Sequence, residues 1–173
     1  MGCSQVKEIL QKEWGYLTRE DSRDILATPN VKWCTAFYGT DVNNNIGFMC
    51  HFDLPCSTKS LPQLFDVLEE YIPKNRKIVC YIDGGYWLTY SFFTRKRILK
   101  YIKQFNLNGW NIQPTNSPYN VQLFPLKFCI GKGIAYRFKH NETTDYSMKA
   151  QIRTRGRTFK NSVFRCSARL SEE

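Results

Sequence analysis

Short apolar runs separated by turn-forming residues fill the first two thirds of the chain, and their periods predict its elements. Val6, Ile9, Leu10, Trp14 and Leu17 recur at helical spacing, so residues 5–18 read as an amphipathic helix. Two β-prone runs follow, VKWCTAF and IGFMCHF, on either side of YGTDVNNN, whose Gly, Asp and Asn suit a turn. They predict two strands joined by that turn. Ser60 stands as an N-cap with Gln63 at the capping-box position, and Leu61, Leu64, Phe65, Leu68 and Ile72 mark a helix stopped by Pro73. KIVCYI reads as a buried strand, Asp83-Gly84-Gly85 as a turn and YWLTYSFF as another extended run. Thr94 is placed to cap a second helix with Ile98, Leu99, Ile102 and Phe105 on its apolar side, ended by Asn108-Gly109. WNIQ, VQLF, LKFCI and IAYRFK then read as short strands, with Gly131-Lys132-Gly133 as a hairpin turn.

The order strands, helix, strands occurs at 31–82 and again at 86–139. It predicts an α+β fold, a mixed β-sheet or β-sandwich core with flanking helices, and suggests two similar β-β-α-β halves. At 173 residues the chain is expected to be one domain and a monomer, with an N-terminal helix within 1–20, a core over 24–139 and a basic extension over 140–173.

Composition adds a compartment and a charge. An apolar content of 42 % is globular, and no run approaches a membrane span. The start lacks the pattern of a signal peptide. Seven cysteines are scattered, mostly inside apolar runs, which reads as a reducing, cytoplasmic setting without a disulfide framework. Gly2, Cys3 and Ser4 partly match the start of an acylated chain, but Val6 stands where Ser or Thr is expected; an ordinary start is the plainer reading. The net charge is +10, and half of the excess lies in the C-terminal segment, where seven bases from Lys149 to Arg169 stand without an acid among them.

The chemistry lies between Thr28 and Pro55. Cys34 falls in the first β-prone run, and His51, one of two histidines, in the second. Folding the runs together brings a thiol to an imidazole, a nucleophile and its base. Cys50, adjacent to His51, should face the other side of the sheet and belong to the core. Cys50, His51 and Cys56 match no standard zinc spacing, so no metal is expected. Gly131-x-Gly133 lacks the third glycine of a dinucleotide site, so no cofactor is expected either. His140, in KHNETTD, reads as a solvated loop residue.

The spacing Thr28-x5-Cys34-x16-His51, with Gly47-x-Met49-x-His51-Phe52-x-Leu54-Pro55, resembles the CheD protein-glutamine deamidases. It also resembles the toxin deamidases of lethal-factor and cytotoxic-necrotizing-factor type that share their core. Tyr38, Gly84-Gly85, the basic helix from Arg95 and the Asn111-Ile112 strand follow the same order. The resemblance implies a Cys-His-Thr triad with Cys34 as nucleophile, His51 as acid and base, and Thr28 orienting the imidazole. It implies hydrolysis of a protein glutamine to glutamate through a thioester, with the target-bearing protein as partner. Trp33, Thr35 and Asp53 are further candidates for the substrate or oxyanion vicinity.

Lys32-Trp33 departs from the Gly-Ser that CheD proteins carry before the cysteine. With the basic segment and the acylation-like start, it points to a bacterial effector delivered to act on a host protein. A chemoreceptor deamidase is the alternative within the class. A nucleic-acid-binding module is the alternative outside it, since residues 149–169 interleave Arg and Lys with Phe159 and Phe164. The same segment would also suit an acidic protein or anionic lipid.

Overall fold

The computed structural model describes residues 5–21, 23–28, 31, 33–85, 90–116, 126–129, 134–137 and 169–170. They form an α+β fold of two sheets and two helices. A six-stranded sheet runs in the order β10-β2-β5-β4-β6-β7, from Arg169–Leu170, Glu13–Leu17, Ile46–Phe52, Thr35–Asp41, Lys77–Asp83 and Asn111–Asn116. A four-stranded sheet runs β1-β3-β8-β9, from Gln5–Glu8, Arg23–Thr28, Leu126–Cys129 and Ile134–Arg137. Helices α1 (Leu61–Leu68) and α2 (Tyr90–Leu107) complete it.

The expected hairpin is the centre of the larger sheet. β4 and β5 pair antiparallel around a short 3-10 turn at Val42–Asn44, with Ala36 opposite His51 and Phe37 opposite Cys50. Every residue of both strands is buried, because each face of the sheet is covered. On one face Phe37, Phe48, Cys50 and Phe52 meet Leu61, Leu64, Phe65 and Leu68 of α1 and Ile98 and Ile102 of α2. On the other, Ala36, Tyr38 and Met49 meet Leu26 of β3. The molecule is therefore layered: helices, large sheet, small sheet.

Residues 5–18 are not a helix. They form β1 and β2 joined by a turn at 9–12, β1 pairing parallel with β3 and β2 antiparallel with β5. A helix would bury one stripe of this segment; two strands let Trp14 face the helices and Ile9 and Leu17 face the small sheet. Ser60 makes no side-chain cap on α1; its hydroxyl donates to the Ser57 carbonyl at 2.8 Å, closing the 3-10 turn Pro55–Ser60 instead. α1 ends at Leu68, earlier than expected, although Ile72 is still tied back by its N–H to the Leu68 carbonyl at 2.8 Å. α2 begins at Tyr90 inside the run read as extended, so Thr94 lies within it and donates to the Tyr90 carbonyl at 3.0 Å. Ile98 and Ile102 are buried there, and Leu99 is exposed.

The two spans read as similar halves use their strands differently. The first supplies β4, β5 and β6 to one sheet, whereas the second supplies β7 to that sheet and β8 and β9 to the other. VQLF, the Gly131-Lys132-Gly133 turn, His140, the acylation-like residues Gly2 and Cys3, and the basic segment apart from Arg169 lie outside the described residues. Among the described residues no helix is long and apolar enough to cross a membrane.

Cys34, Cys50, Cys56 and Cys80 are free thiols. Burial pushes Cys80 up to about 12 and Cys50 well above its ordinary 9.0. The unfolded chain therefore releases these protons at lower pH than the folded chain, and their stabilising contribution is complete below about pH 9 and lost above it. Unfolding stability should therefore fall as the pH is raised from about 9 to about 11. Denaturant titrations over that range check this. A Cys50→Ala, Cys80→Ala double variant should show a visibly shallower fall.

Candidate functional site

The site is assembled where the small sheet meets the end of the β4–β5 hairpin. Cys34 sits one residue before β4 rather than within it. Ala36 is opposite His51, and side chains two apart share a face, so Cys34 lies on the face of His51 and Asp53. Continuing the register places Cys34 opposite Asp53 and one diagonal step from His51. The paired register itself ends at Thr35, and the thiol beyond it is met by Gln11 Nε2. Cys50 points the other way into the helix-side core, as its position beside His51 requires.

Thr28 comes from the last position of β3 and crosses the layer boundary to His51. Its Oγ1 lies 2.6 Å from His51 Nδ1 and donates to the Ile9 carbonyl at 2.7 Å. A hydroxyl has one proton, and here the carbonyl takes it. Nδ1 is then the donor to Thr28, which places the lone pair of the neutral ring on Nε2. Thr28 and His51 are each 1 % exposed, whereas Cys34 is only partly buried and Trp33 before it is 55 % exposed. The imidazole is thus held inside the protein, and the Trp33-Cys34 segment lies nearer the surface.

The loop carrying Cys34 is held from beneath. Gly85 N–H donates to the Val31 carbonyl at 3.1 Å, and the Ser91 hydroxyl donates to the Trp33 carbonyl at 2.7 Å. Gly84 has φ +77°, and a Cβ there would stand 2.4 Å from the Val31 oxygen and 2.9 Å from the Cys34 oxygen. Only glycine allows that approach. Arg95 of α2 fixes the same turn by donating to the Gly84 carbonyl at 3.0 Å. The Gly-Gly turn and the basic helix therefore act on the cysteine loop through hydrogen bonds.

The turn between β1 and β2 closes the site from above. Lys12 N–H donates to the His51 carbonyl at 2.8 Å, and Lys12 Nζ stands 3.8 Å from Asp53 Oδ2, both side chains being 5 % exposed. Gln11 Nε2 is 3.9 Å from Cys34 Sγ and 3.5 Å from Asp53 Oδ2. Burial pushes the Cys34 thiol up to about 12, and the Asp53 carboxylate adds to the shift. Asp53 is itself raised by burial, a shift that the Lys12 ammonium opposes. The resting site therefore holds a protonated thiol beside a buried ion pair. Among the described residues no three of His, Cys, Asp and Glu come together as a metal site.

No family model and no curated sequence matches this chain. The CheD resemblance accordingly rests on Thr28, Cys34 and His51 and on the string around them.

Of the sequence candidates, Thr28 and His51 are in contact, and Cys34 and Asp53 share their face. Trp33 is exposed beside the thiol. Thr35 is fully buried, on the opposite, helix-side face of β4. Sequence reasoning missed Gln11 and Lys12, because the stretch around them was read as helix. The polar triplet Gln11-Lys12-Glu13, which interrupts the apolar run, was the available signal for a turn.

Asp53→Asn removes the negative charge facing the thiol and should lower the Cys34 pKa towards its ordinary value. Alkylation of Cys34 by iodoacetamide at pH 8, followed by peptide mass spectrometry, should quicken by roughly threefold or more. An unchanged rate would show that Asp53 does not act on the sulfur.

Proposed function

We propose that this protein is a cysteine-dependent protein-glutamine deamidase. The observation that carries the reading is the buried Thr28–His51 contact, with Cys34, one residue before β4, on the side of the sheet where Gln11 and Asp53 meet its thiol. Cys34 Sγ attacks the side-chain carboxamide carbon of a glutamine in another protein. Because the thiol is pushed up to about 12, its proton has to leave as the bond forms, and His51 Nε2 receives it. The Nδ1–H bond to Thr28 holds the ring in the tautomer that allows this. The carbon–nitrogen bond then breaks, His51 returns the proton to the departing ammonia, and a thioester remains on Cys34. Water, deprotonated by His51, releases glutamate and restores the thiol.

A reducing compartment suits this chemistry, since a disulfide or sulfenic acid at Cys34 would stop it. The exposed Trp33, where CheD proteins have a small residue, supports a protein substrate distinct from a chemoreceptor, as an effector acting on a host protein would meet.

Peptide mass spectrometry on a lysate treated with wild-type protein should find glutamine-to-glutamate conversions that are absent with Cys34→Ser. His51→Ala should lower turnover by roughly 10²–10⁴. Thr28→Val keeps the shape and loses the hydroxyl. It should lower turnover about tenfold, the equivalent of one hydrogen bond. It should also destabilise the fold by about 1–3 kcal/mol, because the buried Ile9 carbonyl loses its donor. Identical conversion patterns with wild type and Cys34→Ser would refute the reading.

A further inference from the structure

The triad accounts for the nucleophile and the proton, and leaves unassigned the group that receives the negative oxygen. We infer that the side chain of Gln11 is that group: its Nε2 amide donates a hydrogen bond to the oxyanion of the tetrahedral intermediate. This rests on the deamidase reading above and deepens it.

The geometry is specific. Gln11 Nε2 stands 3.9 Å from Cys34 Sγ, so a carbonyl oxygen bonded to the attacked carbon, to the side of the line joining the two atoms, would be about 3 Å from both. The amide is turned nitrogen-inward because Asp53 Oδ2, 3.5 Å away, accepts from it; an inward carbonyl oxygen would face a carboxylate instead. An inward NH₂ has two protons. One serves Asp53, and the other is directed towards the sulfur. Asp53 is held in turn by Lys12 Nζ at 3.8 Å, with both side chains buried. Gln11 is thus positioned by a side chain that cannot easily move.

The backbone agrees. Lys12 has φ +68°, in the left-handed region that non-glycine residues rarely adopt. The strain persists because Lys12 N–H is bonded to the His51 carbonyl, which fixes the turn directly over the triad. The chain holds Gln11 beside the sulfur at a conformational cost.

In the step itself, the Cys34 Sγ–carbon bond forms while the carbonyl π pair moves onto oxygen. The thiol proton goes to His51 Nε2, and the new oxyanion accepts the N–H of Gln11. When the pair returns, the carbon–nitrogen bond breaks and ammonia leaves with the proton from His51. Gln11 neither gains nor loses a proton.

Gln11→Met keeps the length and neutrality of the side chain and removes the donor. With a peptide glutamine converted by the wild-type protein as substrate, kcat should fall by roughly 10²–10³ while KM changes by less than about threefold. The rate of iodoacetamide alkylation of Cys34, a reaction that develops no oxyanion, should stay within about twofold. A Gln11→Met variant that keeps wild-type kcat, while Cys34→Ser is inactive, overturns the role of Gln11 and leaves the deamidase reading intact. A parallel fall in alkylation overturns it in favour of a structural role for Gln11. If the wild-type protein converts no glutamine in any protein, this role falls together with the deamidase reading.

Discussion

The register of β4 against β5 is the constraint on which the site depends. Because side chains alternate, a slip of β5 by one residue would turn His51 and Asp53 towards the helices, away from Cys34, and send Phe48 and Phe52 into the small-sheet side. What prevents the slip is apolar volume. Phe48 contacts Phe37 and Phe65, with ring centroids 5.2 and 5.7 Å apart, while Tyr38 stacks on Tyr81 at 5.3 Å across the opposite face. A fully buried strand pair can exchange neither set without overpacking one layer and emptying the other. The polar residues of the site are therefore aimed by hydrophobic packing that none of them takes part in.

A second constraint brings the remaining parts to that face. Docking of the small sheet through Leu26 places Thr28 against the imidazole, and the same β3 strand binds the end of the β1–β2 turn through the Ile9 N–H to Ala27 carbonyl bond at 2.8 Å. Thr28 then serves two partners with one hydroxyl, accepting from His51 and donating to Ile9. The orientation of the base and the position of the turn carrying Gln11 and Lys12 are in this way tied to one side chain. Loosening the small sheet would disturb both together.

These two constraints explain which features could be read from the sequence. The hairpin was legible because VKWCTAF and IGFMCHF are short, β-rich and divided by turn residues, and their pairing is local. The contact of Thr28 with His51 has no local signal in the sequence and could be anticipated only from the spacing of the two residues. Residues 5–18 were misread for a physical reason. Ile9, Leu10, Trp14 and Leu17 satisfy a helical period, yet their apolar surface is divided between two faces of a sheet, and the pairings that decide this are long-range, β1 with β3 and β2 with β5. The start of α2 was misread in the opposite sense. Tyr90 and Phe93 suggest a strand by composition, but they lie one turn apart on an exposed helix face. Gln11 and Lys12 carry no motif, so their place at the site follows from the fold alone.

The electrostatics of the site at first oppose its proposed chemistry, since a carboxylate facing the sulfur and a partly closed environment both disfavour a thiolate. The opposition weakens once the proton is followed. A permanently ionised sulfur would be open to oxidation and to any passing electrophile. A thiol pushed up to about 12 reacts only when a base removes its proton during attack, and His51 is locked by Thr28 in the tautomer that can do so. In the proposed reaction the negative charge developing on the substrate oxygen would lie beside the Gln11 amide, with the Lys12 ammonium close behind Asp53. On this proposal Asp53 raises the energy of the resting thiolate while anchoring the donor that would stabilise the reacting state. A carboxylate that looks obstructive against sulfur alone becomes the element that separates the resting site from the working one.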